Sequence, residues 1–148
     1  MFTTLLILHN LLRWGVLLGG LYAITKSALG VMRKSDFTAN ENRAHVIFVM
    51  FCHTQLLIGL ILYFISPNVQ AALADMGAAM KDPMLRLVGV EHISVNIIAI
   101  ALIQMGRTLS KKATDAVTKH KRALIWFSIG FILILSRIPW QYSKLLPF

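Results

Sequence analysis

Residues 44–66 read AHVIFVMFCHTQLLIGLILYFIS, without a single lysine, arginine, aspartate or glutamate. A helix rises about 1.5 Å per residue, so about 20 such residues cross a hydrocarbon core of roughly 30 Å. The stretch does not alternate polar with apolar residues, as a strand of a membrane barrel does. Lipid leaves helices and closed barrels as the only spanning structures, so a helix is expected here. Three further apolar blocks, from Phe2 to Met32, Met84 to Gly106 and Ala123 to Trp140, flank it. The expected fold is therefore all-α, an integral membrane up-and-down four-helix bundle. It occupies a single transmembrane domain over residues 1–148, with spans near 3–26, 44–66, 85–107 and 120–140. Composition agrees, since 57% of the 148 residues are hydrophobic and only 14% are charged.

The placement of the charge sets a topology. Lys26, Arg33, Lys34 and Arg43 gather around the first connection, and Arg107, Lys111, Lys112, Lys119, Lys121 and Arg122 around the third. The second connection carries only Lys81 and Arg86, and the C-terminal tail only Lys144. By the positive-inside rule the first and third connections face the cytoplasm and both termini face outward, periplasmic for a bacterial inner membrane. The net charge of +9 then meets anionic lipid head groups, and no soluble basic domain is present for nucleic acid. The first block lacks a basic leader and is too long for a signal-peptide core, so it is expected to stay as a span. Cys52 is the only cysteine, which excludes an internal disulfide and a CxxC heme attachment. Thr38 or Asn40 is expected to cap the second helix with Glu41 in its first turn, and Pro67 and Pro139 to end the second and fourth. Asn68 to Pro83 is expected to hold a short interfacial helix, and Trp140 and Tyr142 to sit in an outer aromatic belt.

Five histidines lie in or beside the spans. Counted from the outer ends, His9 and His92 sit about 9–10 Å deep, His53 about 20 Å, and His45 and His120 near 30 Å. His9 and His92, on different helices at one level, are candidate axial ligands of a heme iron. His53 is a third candidate metal ligand, replacing either of them, relaying protons from a quinone, or serving a second heme with His120. For His120 the ordinary alternative is a solvated position in the basic run 119–122, and for His45 a position at the helix entrance. An ionisable group inside a span is a functional candidate by default, although a histidine that only bonds across helices is the plain alternative. Arg13 lies one turn deeper than His9 and needs an acidic partner, with Glu91 or a heme propionate as candidates. Arg137, near the outer end of the fourth helix, either meets a propionate or snorkels to the interface. Met76, Met80 and Met84 recur every four residues, a soft donor stripe suited to Cu(I), interrupted by Pro83. No P-loop, GxGxxG, GxSxG or HExxH motif occurs.

The segments HNLLRW (9–14), HTQLLIGLILYF (53–64), VEH (90–92), SKKATD (110–115) and IPW (138–140) resemble a group of small bacterial membrane proteins labelled cytochrome b-like. The likeness extends over nearly the full length. It implies heme b, one or two per chain, bound through His9, His53 and His92, with His120 as a further candidate. More distantly the chain looks like the membrane heme protein that oxidises protoporphyrinogen, and like copper-resistance D-type proteins. It departs from the former after Tyr22, which leads into Ala-Ile-Thr, and in lacking a lysine deep in the third helix. The expected function is electron transfer within the membrane, with quinone or a protein as redox partner. The alternatives are a protoporphyrinogen oxidase-like enzyme and a copper-handling or structural subunit. Self-association is left open.

Overall fold

The computed structural model describes residues 1–141; Tyr142 and Lys144 lie outside them. Every regular element among the described residues is helical. Four helices are long: α1 (Phe2–Arg33), α2 (Ala39–Ile65), α6 (His92–Lys112) and α7 (Ala116–Ser136). Three short ones, α3 (Pro67–Ala74), α4 (Met76–Ala79) and α5 (Pro83–Arg86), fill the connection between α2 and α6. One wide π turn, Leu87–Glu91, joins α5 to α6.

Local chemistry explains the ends. The Thr38 side chain accepts from the backbone N–H of Asn40, and the Glu41 carboxylate accepts from the Thr38 N–H at 3.0 Å. This capping box starts α2 at Ala39, ahead of the boundary at 44 predicted from hydrophobicity alone. Lys26 Nζ lies 2.7 Å from Glu41 Oε1 and ties the end of α1 to that start. Asp115 caps α7 by accepting from the Thr118 N–H at 2.8 Å, which holds its carboxyl below the usual range. Pro67 stops α2 after Ile65 and opens α3, as predicted.

Three segments, Phe2–Arg33, Ala39–Ile65 and Pro83–Lys112, are long and apolar enough to cross a membrane. α7 has 21 residues, but Lys119, Lys121 and Arg122 occupy its first two turns. Each long helix packs against two others: α1 on α2 and α7, α6 on α7 and α2. α1 and α6 are therefore diagonal, as are α2 and α7. Phe48 and Phe127 are fully buried at the centre, edge to face at 5.3 Å.

The α6–α7 contact depends on glycine. A Cβ on Gly130 would stand 2.5 Å from Ile103 Cγ1 and 2.8 Å from the Ala99 carbonyl oxygen, and a backbone oxygen cannot swing away. Gly130→Ala is expected to cost about 1–3 kcal/mol by forcing the two helices apart. The buried Cys52, 1% exposed, is the reporter. Its thiol should react with a fluorogenic maleimide at a lower temperature in the variant, and an unchanged reaction profile would contradict this packing.

Candidate functional site

Toward the Phe2 end of α1 the four long helices line a partly open cavity of about 260 Å³. Close-packed interiors contain few voids larger than a water molecule, whose share of liquid volume is about 30 Å³. His9 and His92 both line it, with Asn10, Arg13, Gln55, Tyr63 and Asn96 set among apolar side chains. A largely apolar pocket with a few convergent polar groups has the character of a small-molecule site.

The two imidazoles come together as predicted from their depths. Their ring centroids are 6.3 Å apart with the planes at 66°. His92 follows directly on the π turn, a local widening that recurs at functional sites. Tyr63 Oη donates to the Gly89 carbonyl at 3.0 Å and anchors that turn to α2. On the other side, Gly59 makes room for His9, since a Cβ there would lie 3.1 Å from His9 Cε1. Gln55 Nε2 donates to the His9 carbonyl at 2.9 Å.

The hydrogen bonds define the tautomer of His92. Its Nδ1 lies 2.7 Å from the Arg137 carbonyl oxygen, which can only accept, so Nδ1 carries the proton. Asn96 Nδ2 is also 3.3 Å from Nδ1, but it donates at 2.6 Å to the His92 carbonyl instead. Nε2 of His92 is left with its lone pair. A ring N–H held by a backbone carbonyl, with the other nitrogen open, is the arrangement of metal-ligating histidines. His9 Nδ1 and Gln55 Oε1 are buried without a hydrogen-bond partner.

Arg13 is 6% exposed, its guanidinium carbon 5.7 Å from the Trp140 ring and 6.0 Å from Trp14. Glu91 answers Arg86, at 2.9 Å, and Arg137, at 3.7 Å, and not Arg13. Arg137 thus serves the site through its backbone carbonyl, a role that sequence distance hides, while its side chain pairs with Glu91.

His53 does not join the pair. The inward face of α2 runs through Phe48, Cys52 and Leu62, and His53 is one residue, about 100°, beyond Cys52. It is exposed and donates from Nδ1 to the Val49 carbonyl of its own helix at 2.9 Å. His120 is not at a solvated rim: it is fully buried, and so is His45. Both lie at the opposite end of the helices from His9 and His92, each 5.2 Å from the Phe37 ring. The methionine stripe is broken, because α4 spans only Met76–Ala79 and Met84 belongs to α5.

The tautomer is directly observable. Nitrogen-15 spectra of histidine-labelled His53→Ala protein, which lacks the Nδ1 proton that His53 gives to Val49, should show an imidazole protonated at Nδ1 and bare at Nε2, and that signal should vanish when His92→Phe is added. A His92 protonated at Nε2 would remove the open lone pair from the site.

No protein-family model, curated protein or solved structure matches the chain.

Proposed function

We propose that this chain is a b-type heme-binding membrane protein that carries electrons within the bilayer, its heme iron held by His9 and His92. The observation that carries the reading is the separation of the two imidazoles. A histidine nitrogen binds a transition metal at about 2 Å and lies about 1 Å from its ring centre, so two axial imidazoles on one metal put their centroids about 6 Å apart. The observed 6.3 Å agrees.

The donor count selects the kind of metal centre. Among the described residues no three histidine, cysteine, aspartate or glutamate side chains converge. Two imidazoles leave a bare zinc ion short of ligands. An iron tetrapyrrole brings four nitrogens of its own and needs just two more. A heme held by His9 and His92 would supply one-electron redox chemistry, and having both histidines on its iron would favour electron transfer over oxygen activation. The residues of the chain do the holding. The Arg137 carbonyl orients His92, Gln55 holds the backbone at His9, and Gly59 leaves space for the His9 ring. Arg13, in the cavity wall, would be the cation beside a propionate, whereas the Arg137 side chain pairs with Glu91 and does not line the cavity.

In this reading α7 is the fourth crossing, with Lys119, Lys121 and Arg122 snorkelling at the cytoplasmic side. The basic first and third connections then face the cytoplasm of a bacterium, and both ends of the chain face the periplasm. The electron partner is a quinone or a second protein reached through the membrane.

The protein purified in detergent from heme-replete cells should show the sharp reduced α-band of a bis-histidine b heme. His9→Ala and His92→Ala should each lower heme retention at least about tenfold, since even the loss of a supporting contact to a metal ligand costs 10–100-fold. His53→Ala should leave the band in place. A correctly folded, colourless protein would overturn the proposal.

A further inference from the structure

An open groove runs along the surface between α2 and α6, away from the His9–His92 cavity. Val46, Val49 and Met50 of α2 form one wall, and Arg107, Lys111 and Lys112 of α6 belong to the other. Val49 and Met50 follow Val46 at offsets of three and four, so they share one face of α2. On α6, Arg107, Lys111 and Lys112 follow Gln104 at offsets of three, seven and eight, which is again one face. Bonds from Arg107 to Asn42 and from Tyr63 to Gly89 join opposite ends of the two helices and show that they run antiparallel. Counted from the Arg107–Asn42 bond, Lys111 and Lys112 lie about 6–8 Å toward the helix ends, and Val46 to Met50 about 6–12 Å the other way. Both helices belong to segments long and apolar enough to cross a membrane. The groove therefore passes from a cationic end to an apolar run at membrane depth.

The cations there are unanswered. Among the described residues none of the three forms an ion pair, and no acidic side chain lines the groove. Arg107 donates from Nη2 to Asn42 Oδ1 at 2.6 Å, a neutral acceptor, and its Nη1 is buried without a partner. Lys111 and Lys112 are exposed in the last turn of α6. Complementing the helix dipole accounts for lysines at that end, but not for the apolar wall across from them. Met50 in that wall is 61% exposed. A small soluble anion would use the cations and leave Val46, Val49 and Met50 idle. A lipid uses both, and basic pockets between spanning helices are where anionic head groups bind.

We infer that this groove holds one anionic phospholipid, its phosphate at Arg107, Lys111 and Lys112 and an acyl chain along Val46, Val49 and Met50. Bound there, the lipid spans the α2–α6 seam, which the Arg107–Asn42 bond ties at the same level. The inference rests on α2 and α6 crossing a bilayer and is independent of the heme.

Native mass spectrometry in a nonionic detergent, which has no charged bilayer surface, reads this binding directly. Titrated with phosphatidylglycerol, the protein should bind a first lipid at least about tenfold more tightly than phosphatidylcholine of the same chains. The double variant Lys111→Gln/Lys112→Gln should weaken it about tenfold or more, since each cation near an anionic lipid contributes about fivefold. Met50→Trp, which fills the apolar wall and leaves every charge in place, should weaken it too. Arg33→Gln/Arg43→Gln removes the same two charges at the first connection and should leave it unchanged. Protection of Cys52 from maleimide reports that each variant is folded. An equal loss in the Arg33/Arg43 variant would reduce the effect to net charge and overturn the site, as would equal affinity for the two lipids. Glycerophosphoglycerol, the same head group without chains, binding as tightly as the lipid would reveal a soluble-anion site and overturn the lipid. A colourless protein that keeps its lipid would overturn the heme and spare this site.

Discussion

A polar group buried without a hydrogen bond costs about 1–3 kcal/mol, and the arrangement of this protein follows from where it incurs that cost. Its helices satisfy their own backbones, so the cost is concentrated in side chains. His9 and Gln55 leave orphaned atoms at one end, and His45, Arg107, Ser110 and His120 at the other. Between them the centre is purely apolar, closed by Phe48 and Phe127. A chain selected for stability alone would replace such groups with hydrocarbon, because an apolar isostere is often neutral or better. At the His9 and Gln55 end the uncompensated atoms border a cavity, where a ligand could take up that cost.

The same constraint explains how the His9–His92 site is supported. The Arg137 carbonyl is an acceptor freed at the end of α7, and His92 takes it. The Gly89 carbonyl, in the π turn, is taken by Tyr63. Irregular backbone beside the cavity thus supplies the acceptors that orient the side chains. Glu91, held between Arg86 and Arg137, keeps the α7 end and the π turn together from outside.

Depth and rotation were legible to different degrees. Depth follows from counting residues along an apolar run, and it paired His9 with His92 and set His45 level with His120. Rotation about the helix axis needs an amphipathic stripe, and these helices are apolar on most sides, so the stripe is faint. That is why His53, at the middle of its run, reads as interior and is found outside. It is also why His120, in a run of three basic neighbours, reads as solvated and is found fully buried.

What the sequence determined by itself was the helical class, the apolar runs, the cap of α2 at Thr38 or Asn40 and its end at Pro67, because length, hydrophobicity and capping are local properties. The tertiary structure decided which face of each helix turns inward. It placed His45 and His120 around Phe37, gave Glu91 to Arg86 and Arg137, and set Nδ1 of His92 against the Arg137 carbonyl. Those outcomes depend on atoms far apart in the chain: the carbonyl that fixes the His92 tautomer belongs to Arg137, and only packing brings the two within 2.7 Å.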